Sequence, residues 1–104
     1  LAKLISDSGV FAIVSTVSPT NEIRSFSREL HDNGKYIEVF INASIEECIK
    51  RDPKNLYGNT TKKNKNITGM HTKYDIPVNP DLIINTEELN IINSKKMLID
   101  FLGI

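Results

Sequence analysis

Thiols are nearly absent: the chain has 104 residues and a single cysteine, Cys48. That excludes an internal disulfide framework and a zinc site built from several thiolates, and it suits a reducing, cytoplasmic setting. Net charge is absent too, since 13 lysines and arginines balance 13 aspartates and glutamates. Nothing in that balance calls for nucleic acid, a membrane surface or an acidic partner, so any charge-based function must come from local clustering. No apolar run approaches the length that crosses a bilayer, and no signal-peptide pattern opens the sequence. The five glycines, at 9, 34, 58, 69 and 103, form no G-x-x-x-x-G-K-[ST] phosphate loop. His31 and His71 have no carboxylate or second histidine at metal spacing, so no metal site is expected among them.

What is present suits one small globular domain. Apolar residues make up 39% and charged residues 25%, which supports a modest core and argues against disorder. Three N-x-S/T sequons, at Asn42, Asn59 and Asn66, are read as coincidence among eleven asparagines.

The opening LAKLISDSG has Leu1, Leu4 and Ile5 on one helical face and Gly9 at a cap position, so the chain reads as beginning inside a domain. Residues 10–17, VFAIVSTV, are apolar without alternation, as in a strand covered on both faces of a parallel sheet. NEIRSFSRELHDNG spaces Ile23, Phe26 and Leu30 for a helix of about three turns that Asn33-Gly34 stops. KYIEVFIN predicts a second strand, and SIEECIKRD a helix with a Ser44/Glu47 capping box. Its buried stripe of Ile45, Cys48 and Ile49 makes Cys48 a core residue. Residues 53–80 lose periodicity and read as a long loop, DLIINT as a third strand, and SKKMLIDFL as a closing helix.

Strands alternating with helices imply an α/β fold with a parallel sheet. Ligands bind beyond the carboxyl ends of such strands, here residues 15–20, 42–44 and 85–87. Two basic groups stand near those ends. Arg24 and Arg28, four apart after Ser18-Pro19, have the spacing to face one anion or to form a solvated face pairing with Glu22 or Glu29. Lys50, Arg51 and Lys54, followed by Lys62, Lys63 and Lys65, suit either a basic loop closing over phosphates or a solubilising one.

VSPTNEIRSFSREL, YIEVFINASIEECIKRDPKNLY, NITG and YDIPVNPDLIINT, in this order, resemble the adenylylsulfate kinase family over nearly all of residues 1–102. The resemblance implies a three-layer P-loop kinase-like fold with a parallel sheet, here lacking the N-terminal P-loop strand. It also implies an ATP- and magnesium-dependent phosphotransferase, acting on the 3'-hydroxyl of adenylylsulfate in sulfate activation. Residues 1–104 would be the C-terminal portion of one such domain, with a lid loop at about 53–80. Small-molecule nucleotides are the implied partners, and a homodimer is left open.

Carried over residue by residue, Ser18 matches a serine often described as a phosphoserine intermediate. Direct in-line transfer needs positioning and charge neutralisation rather than a protein nucleophile, which makes Ser18 a positioning group. Arg24 and Arg28 match acceptor-side arginines, Arg24 being the better candidate for gripping the acceptor's anion. Arg51 and Lys54 match the lid start that contacts ATP and the transferring phosphate, and Lys65, Thr68 and Gly69 match a segment covering the acceptor nucleotide.

The departures concentrate near the lid and acceptor. Ile67 stands where the family has a phenylalanine that looks to stack on the acceptor base, and an aliphatic side chain cannot stack in the same way. Asn55 replaces glycine, His71 aspartate and Asn21 arginine. A cytidine-diphosphate-like acceptor in surface-polysaccharide assembly, or a noncatalytic nucleotide-binding remnant, therefore stand as alternatives. The family's P-loop, with its magnesium ligands, precedes the matched part. Its strand would lie between residues 11–15 and 36–41, so this chain alone is expected to be inactive.

Overall fold

The computed structural model describes residues 1–52 and 73–104. Six elements follow in order: α1 (Ala2–Asp7), α2 (Asn21–Glu29), β1 (Val39–Asn42), α3 (Ile45–Arg51), β2 (Leu82–Asn85) and α4 (Ile91–Leu102). The fold is α/β, and β1 and β2 pair in parallel with Val39 opposite Leu82 and Asn42 opposite Asn85.

Side chains close both ends of this short ladder. At its start the Asp81 carboxylate accepts the Glu38 N–H at 2.7 Å, while the Asp81 and Leu82 N–H groups donate to the Glu38 carbonyl. At its finish Asn42 Nδ2 donates to Asn85 Oδ1 at 2.8 Å, and Thr86 gives both its N–H and its hydroxyl to the Asn42 carbonyl. Four residues per strand is brief, and these end contacts extend the register that the ladder alone would hold.

The helices begin on side-chain caps, each accepting an N–H that would otherwise lack an intrahelical partner. Thr20 caps α2, Ser44 caps α3 and Asn90 caps α4. Ser44 takes the Glu47 N–H as the capping-box spacing predicts. The Glu47 carboxylate turns instead to Arg51, so the box closes on one side. Helix α4 starts three residues earlier than SKKMLIDFL suggests, because Asn90 provides the cap. It ends at Gly103, whose left-handed φ of 72° suits a residue without Cβ.

The core is small. Ile84 is the one fully buried apolar side chain among the described residues, and α4 packs against its strand. Cys48 is half-buried rather than enclosed.

One expected element does not form. Residues 10–17 have no strand ladder, and Val10, Phe11, Ile13, Val14 and Val17 are exposed. The apolar run alone does not make a covered strand, because a strand needs a neighbour to take its N–H and C=O groups. Among the described residues β1 pairs only with β2, and a cavity of about 200 Å³ lies between residues 14–18 and 36–41. Of the predicted long loop, residues 53–72 lie outside the described residues. Residues 73–80 are irregular chain laid against the start of α2.

Candidate functional site

The cavity beside β1 is lined by Val14, Ser18, Arg24, Phe40, Tyr74 and Pro77 among others, so it brings the Ser-Pro elbow to the strand. Ser18, which is not a glycine, has a positive φ of 40°. L-residues pay a steric cost there, and such backbone persists only where its surroundings hold it.

Arg24 provides much of that hold. It is 7% exposed, the one buried charged residue among those described. Its Nε donates to the Ser18 carbonyl at 2.8 Å, Nη1 to Asn21 Oδ1 at 2.8 Å and Nη2 to the Asp75 carbonyl at 2.5 Å. Its guanidinium also lies 5.1 Å from the centre of the Tyr74 ring, within cation–π range. A buried guanidinium needs such partners, because taking the charge from water without them is costly.

Asp75 completes the arrangement. Its N–H donates to the Pro19 carbonyl at 2.8 Å, and its Oδ2 accepts the Asn21 N–H at 3.1 Å. The Asn21 N–H, with Lys73 at 3.3 Å, holds the Asp75 carboxyl below its ordinary pKa. Chain spacing does not reveal this contact, since the partners stand 54 residues apart. The only visible signal is an aspartate in the YDIP stretch, a segment to which sequence reasoning assigned no side-chain role.

Arg28 goes elsewhere. It pairs with Asp81 at 2.8 Å and Glu38 at 3.6 Å and stacks 4.9 Å from the Tyr36 ring centre. Asp81 and Glu38 precede β2 and β1, so Arg28 ties α2 to the amino ends of the strands. The four-residue spacing that allowed a shared anion instead sends the two arginines to different partners. Asp81 is held below the ordinary carboxylate pKa by the Glu38 N–H first and by Arg28 second.

At the opposite, carboxyl ends the expected residues do meet. Arg51 donates Nη1 to Thr86 Oγ1 and Nη2 to the Thr86 carbonyl, both at 2.8 Å, and Nε to Glu47 at 3.0 Å. Ser44 donates to Glu87 at 2.7 Å. This network places a guanidinium at the end of β2, where parallel sheets receive ligands. Lys54, Lys65, Ile67, Thr68 and Gly69 lie outside the described residues. No three of the described histidines, cysteines, aspartates and glutamates group to hold a metal ion. No described helix is long and apolar enough to cross a membrane.

The α/β fold, with a parallel sheet and polar groups gathered at its carboxyl ends, defines the class of proteins that receive ligands beyond those ends. More particularly, the chain belongs to the adenylylsulphate kinase family, whose model matches residues 1–85. The adenylyl-sulfate kinase of Staphylococcus carnosus is 35% identical over 98% of this chain and 52% of its own length. The bifunctional enzyme NodQ of Rhizobium meliloti is 41% identical over 83% of this chain and 14% of its own length. Among solved structures, the Mycobacterium tuberculosis APS kinase CysC, in complex with AMPPNP and APS, superposes with a TM-score of 0.78. It is 29% identical, and the match covers 97% of this chain and 60% of that one. A structure titled APE1195 gives a TM-score of 0.79 at 31% identity, over 98% of this chain and 57% of that one. The chain thus spans about half the length of the curated single-function kinases it matches.

Proposed function

We propose that this chain supplies one wall of an ATP-dependent phosphotransferase that moves the γ-phosphoryl group of ATP to the 3'-hydroxyl of adenylylsulfate. The observation that carries the reading is the pairing of Arg51 with Thr86 at the carboxyl end of β2. The CysC complex with AMPPNP and APS supports it, since that protein shares the fold. In-line phosphoryl transfer depends on positioning and on neutralising charge. Arg51 and Lys54 supply positive charge toward ATP and the transferring phosphate, and Ser18 positions the elbow. Lys65, Ile67, Thr68 and Gly69 recognise the acceptor, while Arg28 secures the wall through Asp81. No step here is routed through magnesium.

A phosphoryl-transfer assay of the full natural chain, with ATP against adenylylsulfate and a panel of cytidine nucleotides, tests this. Turnover with adenylylsulfate is the expected result. Preference for a cytidine acceptor favours the second reading, in which Ile67, standing for an aromatic, marks changed specificity. Nucleotide binding without turnover on any acceptor favours a noncatalytic remnant. Lys54→Ala is expected to lower kcat on the order of a hundredfold without moving the unfolding midpoint. An unaltered rate removes Lys54 from the mechanism.

A further inference from the structure

We propose that Asp75 and Arg24 act together as positioning residues that set the Ser18 elbow, and that Arg24 serves the reaction through this clamp rather than by gripping the acceptor's anion. The inference rests on the proposed phosphotransferase reading for its kinetic part and on geometry alone for its structural part.

Four polar groups of the elbow are engaged from two residues. Arg24 takes the Ser18 carbonyl and the Asn21 side chain; Asp75 takes the Pro19 carbonyl and the Asn21 N–H. The Arg24 bond to the Asp75 carbonyl then joins the two holders. The Asn21 N–H is one of the amino-terminal donors of α2 that has no partner within the helix, so the carboxylate also favours the start of that helix. Ser18 at φ 40° lies at the centre of the set and on the cavity wall. An ordinary elbow would relax to negative φ; this one is fixed where its carbonyl meets Arg24. Three of the five guanidinium N–H groups point at protein oxygens, which is the work of a planar fork and not of a point charge.

That distinction gives the test. Asp75→Ala, Asp75→Asn, Arg24→Lys and the double variant Asp75→Ala/Arg24→Lys are compared in the full natural chain. Asp75→Ala is expected to lower kcat on the order of ten- to hundredfold with the KM for ATP little changed, because a displaced reacting wall costs rate. Asp75→Asn, which keeps an acceptor oxygen for the Asn21 N–H, restores most of it. Arg24→Lys, which keeps the charge but not the fork, falls as far as Asp75→Ala, and the double variant falls little further. If Arg24 instead gripped the anion, Arg24→Lys would keep most activity and Asp75→Ala would be silent.

Amide exchange at Asn21 is read in the same proteins and does not depend on turnover. It is expected to quicken in Asp75→Ala and to hold in Asp75→Asn. Should Asp75→Ala fail to fold, Arg24→Lys carries both readouts. Parental kcat, or unchanged exchange at Asn21, in folded Asp75→Ala or Arg24→Lys overturns the clamp. A parent without turnover on any acceptor overturns the phosphotransferase reading instead, and the exchange data still decide the clamp.

Discussion

Two stretches rich in β-branched residues meet opposite fates in this molecule. VFIN of β1 and LIIN of β2 pair in register and bury Ile84 to 2% exposure. Residues 10–17, no less apolar, form no ladder, and Ile13 stands 88% exposed. Side-chain propensity does not separate them, since both carry valine and isoleucine. Neighbouring edges do: Glu38 and Asp81 start the β1–β2 pairing and Asn42 and Thr86 finish it, whereas the 10–17 run faces a cavity. A strand is thus a property of two segments, and apolar sequence supplies only half of it.

The largest expected effect comes from removing the side chain on which the paired region closes. Ile84→Ala is expected to cost about 2–5 kcal/mol, a large fraction of what a small domain has in total. In the 104-residue chain, hydrogen exchange of the β2 amides should then rise to the level of residues 11–17. Ile13→Ala, at an exposed position, is expected to change stability by no more than about 0.5 kcal/mol. Equal sensitivity at the two isoleucines would show that the 10–17 run packs after all, and would erase the contrast. The same contrast predicts that the 104-residue chain alone, with no G-x-x-x-x-G-K-[ST] loop in its sequence, shows no ATP turnover. Measured turnover would break that expectation.

How far the sequence was legible follows the same division. Local signals were sound: Ser44 caps α3, SKKMLIDFL lies within α4, and residues 42–44 and 85–87 lie at the ends of paired strands. Those features depend on residues within a few positions of one another. What escaped depends on contacts across the chain. Nothing in the spacing of Arg24 and Arg28 tells that one closes on Asp75 and the other on Asp81, each more than 50 residues away. For the same reason the burial of Arg24 among carbonyl oxygens was not legible, and the family resemblance marks it instead as an anion grip. The missing strand at 10–17 belongs here as well, because an apolar run records burial intended, while pairing requires a partner that the run cannot name.

The smallest effect concerns the lower end of the paired region and sharpens the comparison by pH. Asp81 is held below its ordinary pKa by the Glu38 N–H and by Arg28, and a carboxylate so lowered favours the folded state above its unfolded pKa of about 4. Its contribution is therefore complete near neutrality and declines as pH falls through the lower, folded value. Asp81→Asn removes the charge while keeping an acceptor oxygen, so at pH 7 it is expected to cost about 1 kcal/mol or less, in keeping with a partly exposed ion pair. A series of Tm values from pH 7 down to 2 should show the variant's acid limb flatter than the parent's, the two curves converging at the acid end. Some slope will remain, because Asp75 is lowered in the same direction by the Asn21 N–H at the other end of α2. Asp75→Asn should remove part of that remainder without altering exchange in β2, which separates the elbow from the ladder; Asp7, lowered by Lys3, keeps a share. Parallel curves for parent and Asp81→Asn would mean that Asp81 closes the ladder through hydrogen bonds alone, and that its charge has no part in keeping β1 and β2 in register.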